Sequence, residues 1–476
     1  VAMTVRIPVP SVLQRKPSKG LAVAASALCF ALADPGAALT LPPPGGDPQR
    51  IDFAADPVLR FVRDAAPAQP FLDRLGEAVA HHPAVAAAIA AAQASQGVRT
   101  QVRSGLFPQV DASLVASRQL ARDFGSRDTI VESLQPRGRT DGLLSGEQLL
   151  FDFGATGSRI AAADARIGAA RAEVERQAAE TALGAIAAAC DVLAAQTQAD
   201  LAADAERRQR TILDQVRARV EQGLGPPSDI ARVEAMLADT GSIAARTGRA
   251  LGQARARYRE ALGTDAAPLP GRPLPPRSQA QSLDAAQAMA RQTPAVVAAL
   301  KRAAAAGRDL AAVRADGLPR LSAGLSGTRY DVFGGSDYEV RGQLMLRQSL
   351  SAGGRQRGIV AEAAGKARAA GFDADRAAAE SERDAGAAFA DVAALTGGVT
   401  SAEAAYTANR RVRDAYAEQF RVSRGTLIEL LRAEQDFQSA AAQLVQATLD
   451  LDVARFVLLA RTGELLPAAG IRLDLQ

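Results

Sequence analysis

Apolar positions recur every seven residues in two long stretches of the chain. Ile230, Leu237, Ala244, Leu251 and Tyr258 form one series; Leu430, Phe437, Leu444, Leu451 and Leu458 form the other, 200 residues later. A seven-residue seam predicts one helix packed lengthwise on another, as in a coiled coil. The residues leading into each series match at the same offset, Ile212, Val216 and Val220 against Val412, Tyr416 and Phe420. Gly223, Gly225, Pro226 and Pro227 interrupt the first match, and the Gly-containing stretch before Thr426 interrupts the second. Each interruption therefore reads as the tip of an antiparallel helical hairpin, with Ser228 or Asp229 capping the outgoing helix of the first.

A different period appears between these regions. Tyr338, Val340, Leu344 and Leu346 alternate with Glu339, Arg341, Gln343 and Arg347. Leu321, Ala323 and Leu325 alternate with polar residues in the stretch before, and so do Val110, Ala112, Leu114 and Ala116. Alternation predicts strands with one apolar and one polar face. The strands are placed at about 109–120, 142–153, 318–331 and 338–350. Each is long enough to cross a bilayer when tilted, which takes about 9–11 residues. An ordinary half-buried sheet would alternate in the same way.

The order of elements repeats. "HHPAVAAAIAAA" from His81 corresponds to "QTPAVVAALKRA" from Gln292, and "GLFPQVDASL" from Gly105 to "DGLPRLSAGL" from Asp316. In each half a helix opens at a proline (Pro83, Pro294), two strands follow, and a proline-free Ala/Glu/Arg/Gln-rich run gives a helix of about 100 Å. The fold class predicted is mainly α with a transmembrane β part. The divisions are a signal peptide at 1–33, a Pro-rich extension at 34–70, a first repeat at 71–266, a linker at 267–279, a second repeat at 280–466 and a tail at 467–476.

Composition sharpens this picture. Aromatics are 4% and tryptophan is absent, so large compact cores would be hard to fill. The net charge of +4 is spread as Arg beside Glu and Asp, which reads as solvated helix faces and not a nucleic-acid surface. Arg15, Lys16 and Lys19 before the apolar run 21–32 read as an export signal, cleaved after Ala33 or Ala38. Leu28 before Cys29 does not suit a lipid-attachment site. Cys190 then remains as a buried thiol within a helix. No later segment has about 18 uninterrupted apolar residues, so membrane crossing falls to the strands. His81 and His82 read as exposed turn residues beside a helix-start proline; a metal site would want acidic or Cys companions. No phosphate-binding loop or catalytic triad is visible, and neither enzyme activity nor a cofactor is expected. Gly334 to Asp337 and Arg122 to Arg139 read as surface loops.

Four strands cannot close a barrel, and an open edge in lipid leaves backbone groups unpaired. The chain must therefore pool strands with other copies. A periplasmic coiled-coil adaptor is the competing reading, since it also uses long helical hairpins, but it does not need bilayer-length alternation.

Across about Phe71 to Leu466, the two halves, twin proline helix starts, Gly-containing tips and four strands resemble the TolC-type outer-membrane factors. "RGTLIELLRAEQ" at the second tip looks most like type I secretion members. The resemblance implies a homotrimer, with twelve pooled strands forming a barrel in outer-membrane lipid and twelve helices forming a periplasmic tunnel. It implies partners: a periplasmic adaptor (membrane fusion protein), an inner-membrane ABC exporter, and an exported protein of the RTX-toxin type. Tyr338, Val340, Leu344 and Leu346 would face lipid, and Glu339, Arg341, Gln343 and Arg347 the lumen. At the entrance, the family's first-tip Gly and Asp correspond to Gly223 and Asp229. Its second-tip Tyr and Arg, which bond to that Asp in the closed state, correspond to Phe420 and Gly425, with Arg424 adjacent. Its two pore-lining Asp positions correspond to Glu429 and Arg432, so the mouth departs from a doubly acidic one. Asp229 and Glu429 can also be read as ordinary first-turn acids on helix N-termini.

Overall fold

The computed structural model describes residues 38–473, except 46, 49, 65–68, 119, 121–137, 267–270 and 351–352. The expected export signal, Cys29 and most of the loop Arg122–Arg139 lie outside the described residues.

Two short helices come first, α1 (Pro57–Arg63) and α2 (Gln69–His81). Then follow α3 (Pro83–Ser104), strands β1 (Gln109–Arg118) and β2 (Gly138–Phe151), and helices α4 (Ala155–Glu221) and α5 (Ser228–Leu262). The second series comprises α6 (Leu283–Ala290), α7 (Pro294–Ala315), β3 (Arg320–Arg329), β4 (Tyr338–Arg347), α8 (Arg355–Arg421) and α9 (Leu427–Arg461), closed by α10 (Leu465–Ala468). α3 and α7 have 22 residues each, α4 and α8 have 67, and α5 and α9 have 35. Both 67-residue helices begin after a left-handed glycine, Gly154 at φ 83° and Gly354 at φ 85°. Glycine reaches that conformation without the Cβ clash that other residues meet, so the strand can turn sharply into the helix.

The strands pair antiparallel in the order β1-β2-β3-β4. Leu344 lies opposite Ala323, Val340 opposite Gly327 and Leu144, in turn, opposite Gly327 and Ala112. The register thus keeps the alternating apolar positions of β1, β3 and β4 on one face with Leu144 of β2, where Val110, Leu114, Leu144, Leu325, Val340, Leu344 and Leu346 are exposed, while Leu143 and Leu149 of β2 fall on the other. Among the described residues, β1 and β4 each leave an edge without a partner strand.

The helical seam is fully packed in the second hairpin. Leu430, Phe437, Leu444, Leu451 and Leu458 are all buried. In the first hairpin Tyr258 is buried but Ile230, Leu237, Ala244 and Leu251 are half-buried. Val412, expected to face inward, is exposed, and its neighbours Arg413 and Asp414 are fully buried instead. The reason is a segment that the seven-residue pattern does not register: Pro42, Asp52 and Asp56 lie against α8, and their carbonyls and carboxylates supply partners for buried charge. The linker is docked as well, with Arg272 paired to Asp452 at 2.6 Å in the interior.

A window of α4 is long and apolar enough for a transmembrane helix. Half of it is buried inside the protein, where Ala178, Ala182, Ile186 and Ala189 join a core with α2, α5 and α9. Tertiary packing accounts for its apolar character.

Candidate functional site

The two hairpin tips are built alike at the backbone. At the end of α4, Gly223 adopts φ 74° and Leu224 N–H reaches back to Arg219 O at 2.8 Å. At the end of α8, Ser423 adopts φ 60° and Arg424 N–H reaches Gln419 O at 2.8 Å. These 6→1 closures satisfy terminal carbonyls that would otherwise be orphaned. The second tip therefore places a serine where the first has glycine.

The helix starts differ. Thr426 caps α9 and receives Glu429 N–H, while Glu429 Oε2 accepts from Thr426 N–H at 3.1 Å and from its hydroxyl at 2.7 Å. This reciprocal box satisfies two N-terminal donors. It also holds the Glu429 carboxyl below its ordinary range, the Thr426 hydroxyl bond being the main cause. α5 begins after Pro227 with no side-chain cap, so neither Ser228 nor Asp229 takes the expected capping role. Pro226 and Pro227 fix the backbone of this start instead, and Asp229 stands in the first turn.

Between the tips, the contact runs through a residue that the sequence did not single out. Arg219 Nη1 donates to Phe420 O at 3.0 Å, and its guanidinium lies 4.6 Å from the Phe420 ring centre. Phe420 packs beneath with Leu213, Val216, Val233, Leu427, Leu430 and Leu431, residues of both hairpins. Arg217 adds a 2.7 Å bond to Glu234 within the first hairpin. Among the described residues, neither Arg424 nor Phe420 makes a hydrogen bond to Asp229. Gly425 has a steric explanation: a Cβ there would meet Gln419 Cβ at 3.1 Å and Phe420 N at 3.2 Å. Glu429 and Arg432 are both exposed on α9, and among the described residues Arg432 forms no ion pair with Asp436. Nothing in the sequence distinguishes Arg219 from neighbouring helix arginines, because its acceptor is a main-chain carbonyl.

On the polar face of the sheet, Glu339 bonds Arg341 at 2.6 Å and Tyr330 at 3.0 Å, and Arg139 pairs with Asp141 at 2.7 Å. Gln343 covers Gly324, and Arg347 is exposed. Tyr338, Val340, Leu344 and Leu346 occupy the opposite face. The arrangement separates an apolar wall from a charged one across a single sheet. His82 accepts from Ala84 N–H and caps α3, while His81 bonds Glu77 O at 2.9 Å.

Comparison with known proteins agrees with this architecture. Residues 75–264 match the outer membrane efflux protein family. The chain is 25% identical over 390 residues to the outer membrane efflux protein BepC of Brucella suis biovar 1 (strain 1330), covering 78% of this chain and 81% of that protein. Among solved structures, the outer-membrane channel OprN superposes with a TM-score of 0.73 at 21% identity, over 85% of this chain and 92% of that one. The outer membrane protein VceC of Vibrio cholerae superposes with a TM-score of 0.72 at 16% identity, over 83% and 96%.

Proposed function

We propose that this chain is an outer-membrane efflux channel of the TolC type and works in the outer membrane as the export duct of a tripartite machine. The observation that carries the reading is the joining of a four-stranded sheet, apolar on one face and with both edges unpaired among the described residues, to helices of 67 residues. Helices of that length are about 100 Å long, far beyond a bilayer. Strands that span and helices that project are the two parts a duct needs. Three copies pool twelve strands into a closed barrel, which removes every unpaired edge. Their hairpins continue it into the periplasm, and the tips at Gly223, Asp229, Phe420, Arg424, Gly425, Glu429 and Arg432 form the entrance. There a periplasmic adaptor and an inner-membrane exporter dock.

For the cargo, the second tip's "RGTLIELLRAEQ" favours type I secretion, and there the chain resembles CyaE, the channel that exports adenylate cyclase-haemolysin. An ABC exporter and an RTX-type protein toxin are the corresponding partners. The similarity to BepC, an efflux protein, favours multidrug efflux as the second reading. Purified protein run unheated on a denaturing gel and then placed in a planar bilayer tests the duct. A heat-sensitive trimer giving discrete conductance steps is expected; a monomer giving none refutes it. A strain lacking the chain then separates the cargoes: loss of a secreted RTX protein supports secretion, and increased drug sensitivity with secretion intact supports efflux.

A further inference from the structure

The described residues among 38–64, which exclude 46 and 49, form a strap with one arm against α4 and one against α8. The descending arm runs along α4. Leu39 N–H donates to Asp200 at 3.3 Å and Leu41 N–H to Asp204 at 3.0 Å. The returning arm runs along α8. Phe53 lies under Arg410 and Arg411, Asp56 accepts from Arg410 and, at 2.9 Å, from Tyr406, and Arg63 pairs with Glu403 at 3.1 Å. Leu41, Val58 and Leu59 are buried with Leu201, Tyr406, Phe437 and Leu444.

At the turn of the strap, one backbone atom joins the two hairpins. Pro42 O accepts from Arg208 Nη1 of α4 at 3.1 Å and from Arg413 Nη2 of α8 at 3.0 Å. Arg413 is completely buried and is held in turn by Asp414 at 2.6 Å and Glu434 at 3.5 Å. Both arginines therefore reach the same carbonyl, one from each long helix. Arg413 stands eight residues before the end of α8, about 12 Å from the tip.

A ring of helices widens at its end only if neighbouring hairpins slide or separate. Any such motion between α4 and α8 near the tip must break the shared bond at Pro42 or drag the strap from the helices. We propose that the strap is a latch on the entrance, and that Arg208, Arg413, Asp56 and Tyr406 are its positioning residues. The inference rests on the duct reading above. It adds that closure is set by a segment outside the hairpins as well as by contacts between their tips. Because burial makes the bonds at Asp56 and Arg413 expensive to leave unmade, the latch favours one seated state over a partly detached one.

The test uses full-length protein in planar bilayers with three variants. Arg208→Gln removes the guanidinium's bonds to Pro42 O, Leu41 O and Asp204, and Arg208→Lys keeps the charge. The third carries a protease site inserted after Arg50, an exposed position in the strap, to be cut after assembly. Only the bond to Pro42 O links the two long helices, and loss of that one charge-assisted hydrogen bond corresponds to about a tenfold shift in the open-to-closed ratio, those to Leu41 O and Asp204 holding the strap on α4. Arg208→Gln and the cut protein should each raise the open fraction by about that factor, with unheated trimer retained and partial rescue in Arg208→Lys. Cutting after assembly gives a readout even if a substitution prevents folding. Wild-type steps with no change on cutting overturn the latch alone; absence of wild-type steps overturns the duct reading beneath it.

Discussion

Arg219 of α4 grips Phe420 of α8 twice, donating to its main-chain carbonyl at 3.0 Å and lying over its ring at 4.6 Å. The first hairpin thereby holds the second at the tip without using the second tip's own charged residues. The carbonyl bond and the cation–π contact together contribute about 1–2 kcal/mol at a partly exposed site. Arg219→Ala should loosen the tips and raise the open fraction of channels in a bilayer about tenfold. Arg219→Lys should recover only part of the effect, since an ammonium does not stack as a guanidinium does. Unchanged gating in Arg219→Ala would show that the tips are held elsewhere.

The backbone at the second tip predicts opposite outcomes for two neighbouring positions. Ser423 occupies the left-handed region at φ 60°. Glycine avoids the Cβ clash there but loses more chain entropy, so Ser423→Gly should stabilise the tip by about 0.5–1 kcal/mol. Gly425→Ala should destabilise it, because its Cβ would press on Phe420 N, a backbone atom that cannot rotate away. Thermal melting of the two variants checks both signs.

Strand facing makes a paired prediction. Leu344 stands on the apolar face opposite Ala323, and Gln343 on the polar face over Gly324. Leu344→Arg should reduce trimer assembly, since arginine on a lipid-facing barrel position costs about 2–4 kcal/mol at mid-bilayer. Gln343→Arg should assemble normally. Equal trimer yields on unheated gels would overturn the facing.

Glu429 carries both a pH effect and a charge effect. Its carboxyl is held below the ordinary range by the Thr426 hydroxyl and backbone bonds. A depressed folded-state value means that its contribution is fully present above the unfolded value of 4.5 and is lost as pH falls through the lower folded value. Glu429→Gln should remove that component from the acid side of the stability profile. In a trimer Glu429 and Arg432 would form adjacent rings of opposite charge, giving weak cation selectivity. Arg432→Asp should strengthen it and Glu429→Gln weaken it, as read from reversal potentials in a salt gradient.

Cys190 should be silent in the folded protein. Burial is the main cause that pushes its thiol up to about 12, with the Asp452 and Asp191 carboxylates adding to it. At a pH of about 8 the thiolate is scarce and inaccessible, so a disulfide reagent should label Cys190 only after denaturation. Rapid labelling of native trimer would place the α4 core in solvent.

Periodicity alone determined the long elements. A proline-free run such as 155–221 can do little but form a helix, and the Pro83 and Pro294 starts fall where the structure has them. Alternation at 338–347 likewise fixed which residues share a face, because side chains on a strand can point only two ways. Tertiary structure decided what those elements hold. Leu41, Val58 and Leu59 sit among prolines and glycines with no period, so nothing local marked them as core. Arg219, Arg208 and Arg413 look like any helix arginine, because the acceptors that give them roles are main-chain carbonyls of Phe420 and Pro42. Every residue carries such a carbonyl, and only the folded chain selects which of them meets a charge.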